Sequence, residues 1–308
     1  MRLHVSKLQI IIVMSFGLLA ISSSSVLTKL CTAPAFTIAL YRVGIASLFY
    51  FGVARVTGGP LHQVFDRSRL RLAILSGMSL ALHFATWISS LSYTSVASSV
   101  VLVVTSPVWV AIGSYIFLKE PPQKLMLLGI VITLTGTVII SGTDLSLSPE
   151  RLLGNVLAIA GAIFTAVYFL IGRKLRADID TFQYVTVVYA SAALFTILII
   201  LFTNTPVWGF SNTTYIYLIA IAAFPQIVGH TSFNWALKYF SATSVAIVTL
   251  GEPIGASILA WIFLGERITM LQFIGGCVVL LGVTLALLVE TRSTRRQHEE
   301  LIASGIEI

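Results

Sequence analysis

Two charged residues lie within otherwise apolar stretches of this sequence, and they are the strongest candidates for chemistry. Arg42 lies in the stretch 35–54 and Glu252 in the stretch 242–264. An isolated charge in hydrocarbon costs about 2.5–3.5 kcal/mol, so each side chain should face protein or a water-filled cavity. Two interpretations stay open. The two residues form a structural bridge, or Arg42 binds a substrate carboxylate while Glu252 binds an ammonium group or a coupling proton.

Polar side chains also recur at helical spacing in two further apolar stretches. Residues three or four positions apart share one face of a helix. Such stripes either form hydrogen bonds between helices or line a common cavity, and we favour the cavity. Either histidine could titrate near neutral pH and serve proton coupling. The first stripe is Ser76, Ser79, His83, Trp87 and Ser90, and the second is Gln226, His230 and Asn234.

Two prolines are predicted to kink the helices that contain them. Pro107 and Pro253 each lack a backbone donor, which frees a carbonyl one turn earlier, at about Val103 and Thr249. Trp109, close to the first proline, either packs in the bundle or stacks on a substrate. We predict substrate contacts for Arg42, His83, Trp87, Trp109, Gln226, His230, Asn234 and Glu252.

The composition indicates which elements must position these residues. Hydrophobic residues make up 57% of the 308 positions and charged residues 10%, whereas soluble domains carry about 25% charged residues. A surface this apolar must meet lipid, which excludes a soluble enzyme and a nucleic-acid-binding domain. Cys31 and Cys277 match no metal spacing, so we expect neither a metal nor a cofactor.

A helix that spans a bilayer needs about 20 mostly apolar residues. The sequence predicts an all-α integral membrane protein with ten such spans. They are 8–28, 35–54, 72–92, 97–118, 125–142, 153–172, 182–202, 214–235, 242–264 and 269–289.

Basic residues fix the predicted orientation, because Lys and Arg accumulate in cytoplasmic loops. If the N-terminus is inside, fifteen of the nineteen Lys and Arg residues are cytoplasmic, and three (Lys29, Arg151 and Arg267) are outside. Arg42 is within a span. We therefore expect a multi-pass protein of the cell membrane, of the bacterial inner-membrane type, with both termini cytoplasmic.

The two halves of the chain repeat one pattern. Each half has five spans, an odd number, so the second half must enter the membrane from the opposite side. Inverted repeats are common in secondary transporters, which bind substrate near the midplane between the repeats. We assign residues 1–142 to the first repeat, 153–289 to the second, and 290–308 to a disordered, basic cytoplasmic tail. The matching pairs include Pro107 and Pro253, Glu120 and Glu266, Gly129 and Gly275, and Gly136 and Gly282.

The repeated pattern resembles that of the EamA-type transporters of the drug/metabolite transporter superfamily. The similarity lies in Leu91-x-Tyr93-x-Ser95 through Pro107 to Glu120, and in Tyr239-x-Ser241 through Pro253 to Glu266. This resemblance implies that the protein should export amino acids or other small metabolites from a central cavity lined by both halves.

The expected function is therefore secondary transport of small organic metabolites, such as amino-acid-like solutes or drugs, by alternating access. The expected partners are the small-molecule substrate and the lipid bilayer, with proton coupling open and no nucleic acid. A passive facilitator or channel would share these features. An intramembrane enzyme is disfavoured because no HExxH or GxSxG motif occurs.

Overall fold

The computed structural model describes residues 7–57, 61–94, 99, 102–141, 149–265 and 269–303. Helices account for all of the regular secondary structure in these ranges. Two segments, Ser114–Leu118 and Ala222–His230, are π-helical. The α-helices are α1 (Lys7–Leu30), α2 (Ala35–Thr57), α3 (Leu61–Val64), α4 (Arg67–Ser90), α5 (Ser106–Gly113), α6 (Lys124–Ser141), α7 (Pro149–Arg176), α8 (Thr181–Thr203), α9 (Asn212–Ile221), α10 (Thr231–Ala236), α11 (Ala242–Thr249), α12 (Glu252–Leu264) and α13 (Met270–Ala303).

Seven helical segments in the described ranges are long and apolar enough to cross a membrane, and three shorter apolar helices accompany them. Large apolar side chains such as Phe117 and Phe202 lie on the outside of the bundle, where lipid would cover them. The chain is thus a multi-pass membrane protein, and the count of ten spans stays a prediction. The seven are Leu8–Leu30, Ala35–Val56, Arg67–Ser90, Pro149–Arg176, Thr181–Thr203, Asn212–Ala236 and Ala242–Phe263.

Short polar residues begin several of the helices. The Asp66 carboxylate accepts from the backbone N–H of Arg69 before α4, and Asp180 accepts from Phe182 before α8. Such caps satisfy backbone donors that have no partner within the helix. They fix where these helices start, and hence the level at which their polar side chains lie.

Equivalent helices of the two halves make equivalent contacts across the interface between the halves. α1 packs on the π-helical segment Ala222–His230, and its counterpart α7 packs on α4. The second helices of the halves, α2 and α8, pack on each other, as do the last ones, α6 and α13. Exchanging the halves maps this set of pairs onto itself. The inversion of the second half across the membrane stays a prediction.

Glycines let α6 and α13 approach closely. A Cβ added at Gly129 would lie 2.9 Å from the carbonyl oxygen of Gly282, and one at Gly136 would lie 2.7 Å from the nitrogen of Val279. Small residues of this kind allow backbones to approach in membrane bundles.

The two prolines mark an interruption that is sharper than the predicted kink. α11 ends at Thr249, a turn follows at Leu250 and Gly251, and α12 begins at Glu252. In the first half, α5 begins at Ser106 after a turn. Pro107 and Pro253 therefore occupy second positions of new helices, where the missing N–H has no partner in any case.

α13 continues to Ala303, so the structure is helical in most of the segment that the sequence predicts as a disordered tail. The cytoplasmic location of this segment stays a prediction. Several residues used in the sequence analysis lie outside the described ranges, among them Ser95, Glu266 and Arg267.

Candidate functional site

A central cavity with about 50 Å³ of free volume lies where the helices of both halves meet. Both proline-associated turns reach it, through Val103 and Ser106 in the first half and through Thr249 and Glu252 in the second. A cavity of this volume holds a few water molecules. Its lining is completed by Ile21, Ser24, Arg42, His83, Phe84, Trp87, Val104, Thr165, Phe169 and His230.

Arg42 is held by contacts that join the two halves. Its Nε atom donates to Gln226 Oε1 at 2.8 Å, and its Nη1 donates to Ser24 Oγ at 2.7 Å. The guanidinium carbon lies 4.1 Å from the ring centroid of Phe84, a cation–π contact. The side chain is 1% exposed. These contacts hold the buried guanidinium at the cavity lining.

Glu252 lies at the first position of α12, where the positive end of the helix dipole stabilises a carboxylate. It lines the same cavity as Arg42. Among the ion pairs of the described residues, none joins Glu252 to Arg42. The structure therefore shows two opposite charges on one cavity without the direct bridge that one interpretation of the sequence predicted.

His83 and Trp87 extend the cavity wall along α4. His83 Nδ1 lies 3.0 Å from the carbonyl oxygen of Gly161 and 2.6 Å from Thr165 Oγ1. The carbonyl accepts from Nδ1 when that nitrogen carries the ring proton, and the Thr165 hydroxyl can either donate to Nδ1 or accept from it. The Trp87 indole lies parallel to the imidazole, with centroids 6.0 Å apart and planes at 2°. α7 thus holds the His83 ring, which in turn stacks on Trp87.

His230 and Asn234 lie one helical turn apart, but their side chains contact different groups. His230 lines the cavity and meets the Phe84 ring edge-on at 5.4 Å. The Asn234 amide donates to the hydroxyls of Tyr168 and Tyr189. Four fully buried residues form a group that we call the tyrosine layer: Tyr168, Tyr184, Tyr189 and Asn234.

Three buried polar atoms around the cavity have no hydrogen-bond partner within the described part of the chain. They are Trp87 Nε1, Gln226 Nε2 and His230 Nδ1. The first two only donate, and a buried donor without a partner costs about 1–3 kcal/mol. For Trp87, which lines the cavity, an acceptor placed in the cavity would relieve that cost.

Comparison with known proteins identifies the family. The sequence model of the EamA-like transporter family matches residues 8–142 and 152–288, which together make up most of the chain. The chain belongs to this family. The structure agrees with one solved crystal structure at a TM-score of 0.78, covering 93% of this chain and 99% of the other, at 17% identity. At that identity, the likeness concerns the fold alone.

Relatives of this EamA-like transporter are themselves named transporters. An uncharacterized transporter of Archaeoglobus fulgidus is 26% identical over 86% of this chain and 89% of its own length. The uncharacterized transporter YyaM of Bacillus subtilis is 24% identical over 80% of this chain and 83% of its own length. A riboflavin transporter of Vibrio cholerae is 24% identical over 86% and 87%. Family and relatives point to a membrane transporter rather than an enzyme.

The EamA-like transporter brings together five of the eight side chains predicted to contact substrate: Arg42, His83, Trp87, His230 and Glu252 all line the cavity. Gln226 does not line the cavity, but its side chain accepts a hydrogen bond from Arg42, which does. Asn234 lies in the tyrosine layer instead. Trp109 is not among the lining residues, and its indole N–H donates to Thr105 Oγ1 at 3.3 Å. Substrate binding by these residues stays a prediction.

Sequence reasoning missed Ser24, Phe84 and Thr165, which hold Arg42 and His83. A signal existed for Ser24, since Ser22–Ser25 is a run of four serines inside an apolar helix. Nothing local marks Thr165, because most threonines in apolar helices bond to their own helix, as Thr165 also does to the Gly161 carbonyl. In the described ranges, no group of three or more His, Cys, Asp or Glu residues could hold a metal ion.

Proposed function

We propose that this protein is a secondary transporter that exports small organic metabolites by alternating access around the central cavity. It would lie in the cell membrane with both termini cytoplasmic, as the bias of basic residues predicts. Its proposed cargo is an amino-acid-like solute or a related amphoteric compound. The repeats would exchange conformations, which moves access to the cavity from one face to the other.

The observation that carries this proposal is that Arg42 and Glu252 line one cavity and, among the described residues, form no ion pair with each other. A directly bridged pair would neutralise itself, whereas these charges face common space. Arg42 would bind a substrate carboxylate in the fork geometry that guanidinium groups favour. Glu252 would bind the ammonium group or a coupling proton. The unpartnered donor on the cavity lining, Trp87 Nε1, fits a carboxylate better than a cation.

The interrupted helices support the same interpretation. Transporter sites are often built from broken membrane helices whose half-helix N-termini point at anionic groups. Here α5 and α12 begin at the cavity, with Ser106 and Glu252 at matching positions of the two halves. Glu252 occupies one N-terminus itself. The other, at Ser106, has no acidic residue and adds to the positive potential around Arg42.

The small volume of the cavity implies movement. Sites for drug-sized ligands occupy about 300–1,000 Å³, far above the roughly 50 Å³ of this cavity. The cavity must widen to admit a solute, as alternating access requires. The name of the Vibrio cholerae relative, a riboflavin transporter, supports a small organic solute as cargo in this family.

Uptake into proteoliposomes tests the proposal. Purified protein would be reconstituted and screened with radiolabelled zwitterionic amino acids, nucleobases and amphiphilic cations, under an imposed proton gradient. We expect uphill accumulation of a zwitterionic solute. Equilibration without accumulation for every solute would instead indicate a passive facilitator.

Two variants connect transport to the cavity. Arg42→Ala and Glu252→Gln should each abolish accumulation while the protein stays monodisperse, and Trp235→Ala, which replaces a tryptophan outside the cavity lining, should not. If both charge variants transport normally, the proposed site is wrong.

A further inference from the structure

A second cavity lies beside the central one, at the end of the bundle where α1 and α4 finish and α2 begins. Its volume is about 240 Å³. Lys29 and Ser92, both exposed, lie at its rim. By the predicted orientation this is the outer face. We call this cavity the outer vestibule, lined by Ser25, Thr28, Lys29, Cys31, Ala33, Ala35, Ile38, Trp87, Ile88, Leu91 and Ser92.

Trp87 lines both the outer vestibule and the central cavity. Among the described residues, it is the one that the two linings share. It is 4% exposed, and its indole N–H has no partner within the described residues. A tryptophan that closed only a packed core would normally place that N–H on an acceptor, since buried donors are rarely left unpaired.

On the side away from the outer vestibule, the central cavity is closed by the tyrosine layer. Tyr168, Tyr184, Tyr189 and Asn234 are each 0% exposed. Tyr184 lies 2.7 Å from Ser76 Oγ, oxygen to oxygen, and Tyr189 lies 3.1 Å from Thr231 Oγ1 in the same way. This layer is cross-linked by hydrogen bonds between several helices.

Below the tyrosine layer, arginines add a further level of contacts. Arg176 donates to the backbone carbonyls of Asn234 and Ile179, and Arg173 pairs with Glu120 at 3.3 Å. Opening this side would break several hydrogen bonds, whereas the Trp87 indole, shared by the two cavity linings, has no hydrogen bond among the described residues.

We infer that the outer vestibule is a second contact site for the transported solute, on its path between the central cavity and the outer face. Trp87 is the partition between the two sites. This inference rests on the proposed function. The Thr28 hydroxyl, also buried without a partner among the described residues, lies in the vestibule. Together with the unpartnered Trp87 N–H, it offers two donors along this path to a solute that carries a carboxylate.

The native cysteines make this testable without any transport assay. Cys31 lines the vestibule, whereas Cys277 is exposed on α13 and lines neither cavity. The Cys277→Ser variant therefore reports on the vestibule alone. A variant with Cys31→Ser, Cys277→Ser and Ser106→Cys reports on the central cavity. The probe is a charged, membrane-impermeant methanethiosulfonate, applied to membrane vesicles of either orientation.

We expect Cys31 to react from the outer face whether or not Trp87 is present. The Ser106→Cys thiol should react slowly, and Trp87→Ala should speed that reaction from the outer face by about tenfold or more, a barrier about 1.4 kcal/mol lower. The cytoplasmic rate should not change. Trp235→Ala is the matched control and should leave both rates unchanged. Trp87→Phe should give a smaller rise, and it carries the test if Trp87→Ala is not monodisperse.

An unchanged rate in a folded Trp87 variant, or an equal rise from the cytoplasmic face, would overturn the inference. So would reaction of Cys31 from the cytoplasmic face alone. Labelling as expected without solute accumulation would reject the proposed function but keep the partition. Accumulation combined with unchanged labelling would reject the partition alone.

Discussion

The Nε atom of Arg42 donates to Oε1 of Gln226 at 2.8 Å, and this bond links α2 of the first half to the π-helical segment of the second. Pro225, which cannot donate a backbone hydrogen bond, lies inside that segment just before Gln226. π-helical turns occur frequently at functional sites. Here one places an amide beside the buried cation, so that the charge is held without consuming the carboxylate of Glu252.

Removing the Gln226 acceptor should destabilise the protein. Gln226→Leu leaves the Arg42 Nε donor unpaired, and hydrogen bonds to charged groups contribute about 1.5–3 kcal/mol. Gln226→Glu keeps an acceptor and should stay close to the wild-type melting temperature. Thermal unfolding in detergent measures both. Equal melting temperatures for the two variants would show that this bond contributes nothing to stability.

Glu252→Gln should change which solutes compete for the site. The amide keeps the shape of the side chain but loses the charge that would attract an ammonium group. We expect the wild-type protein to prefer a zwitterionic amino acid over its deaminated acid by roughly 10-fold or more, the effect of about 1.4 kcal/mol. The variant should lose that preference. Competition binding in detergent measures it, and an unchanged preference would remove Glu252 from ammonium recognition.

Bulk at the α6–α13 contact should weaken the bundle. Gly136→Leu places carbon atoms where a Cβ alone would already lie 2.7 Å from the Val279 nitrogen. Overpacking costs about 1–3 kcal/mol, so the melting temperature should fall. Gly52→Leu is the matched control, because nothing lies within 4 Å of a Cβ at that position. Similar losses in the two variants would contradict the close approach of these helices.

Tyr168→Phe should loosen the tyrosine layer. The substitution removes the hydroxyl that accepts from the Asn234 amide in a fully buried position. A buried donor that loses its partner costs about 1–3 kcal/mol. Tyr115→Phe, at a residue that is 63% exposed, should have no effect on the melting temperature. A neutral result at Tyr168 would mean that Asn234 is satisfied without it.

The sequence predicted those site residues whose charge or helical spacing restricts where they can lie. Arg42 and Glu252 are charged residues in apolar helices, so the cost of burying charge assigned them to a cavity. His83, Trp87 and His230 followed from helical periodicity. The rotation of each helix about its own axis did not follow. Trp109 therefore lies off the cavity, and Asn234 faces tyrosines rather than the cavity.

The sequence by itself determined that this protein lies in a lipid membrane, that it is helical, and which family it belongs to. An apolar chain in lipid must satisfy its backbone hydrogen bonds internally, which leaves few folds other than helices. The repeated proline and glycine positions then indicate the family. Tertiary structure alone decided that Arg42 binds Gln226 rather than Glu252, and that Trp87 lines two cavities. These relationships depend on helix tilt and rotation, which are set by packing between helices distant in sequence rather than by the local pattern.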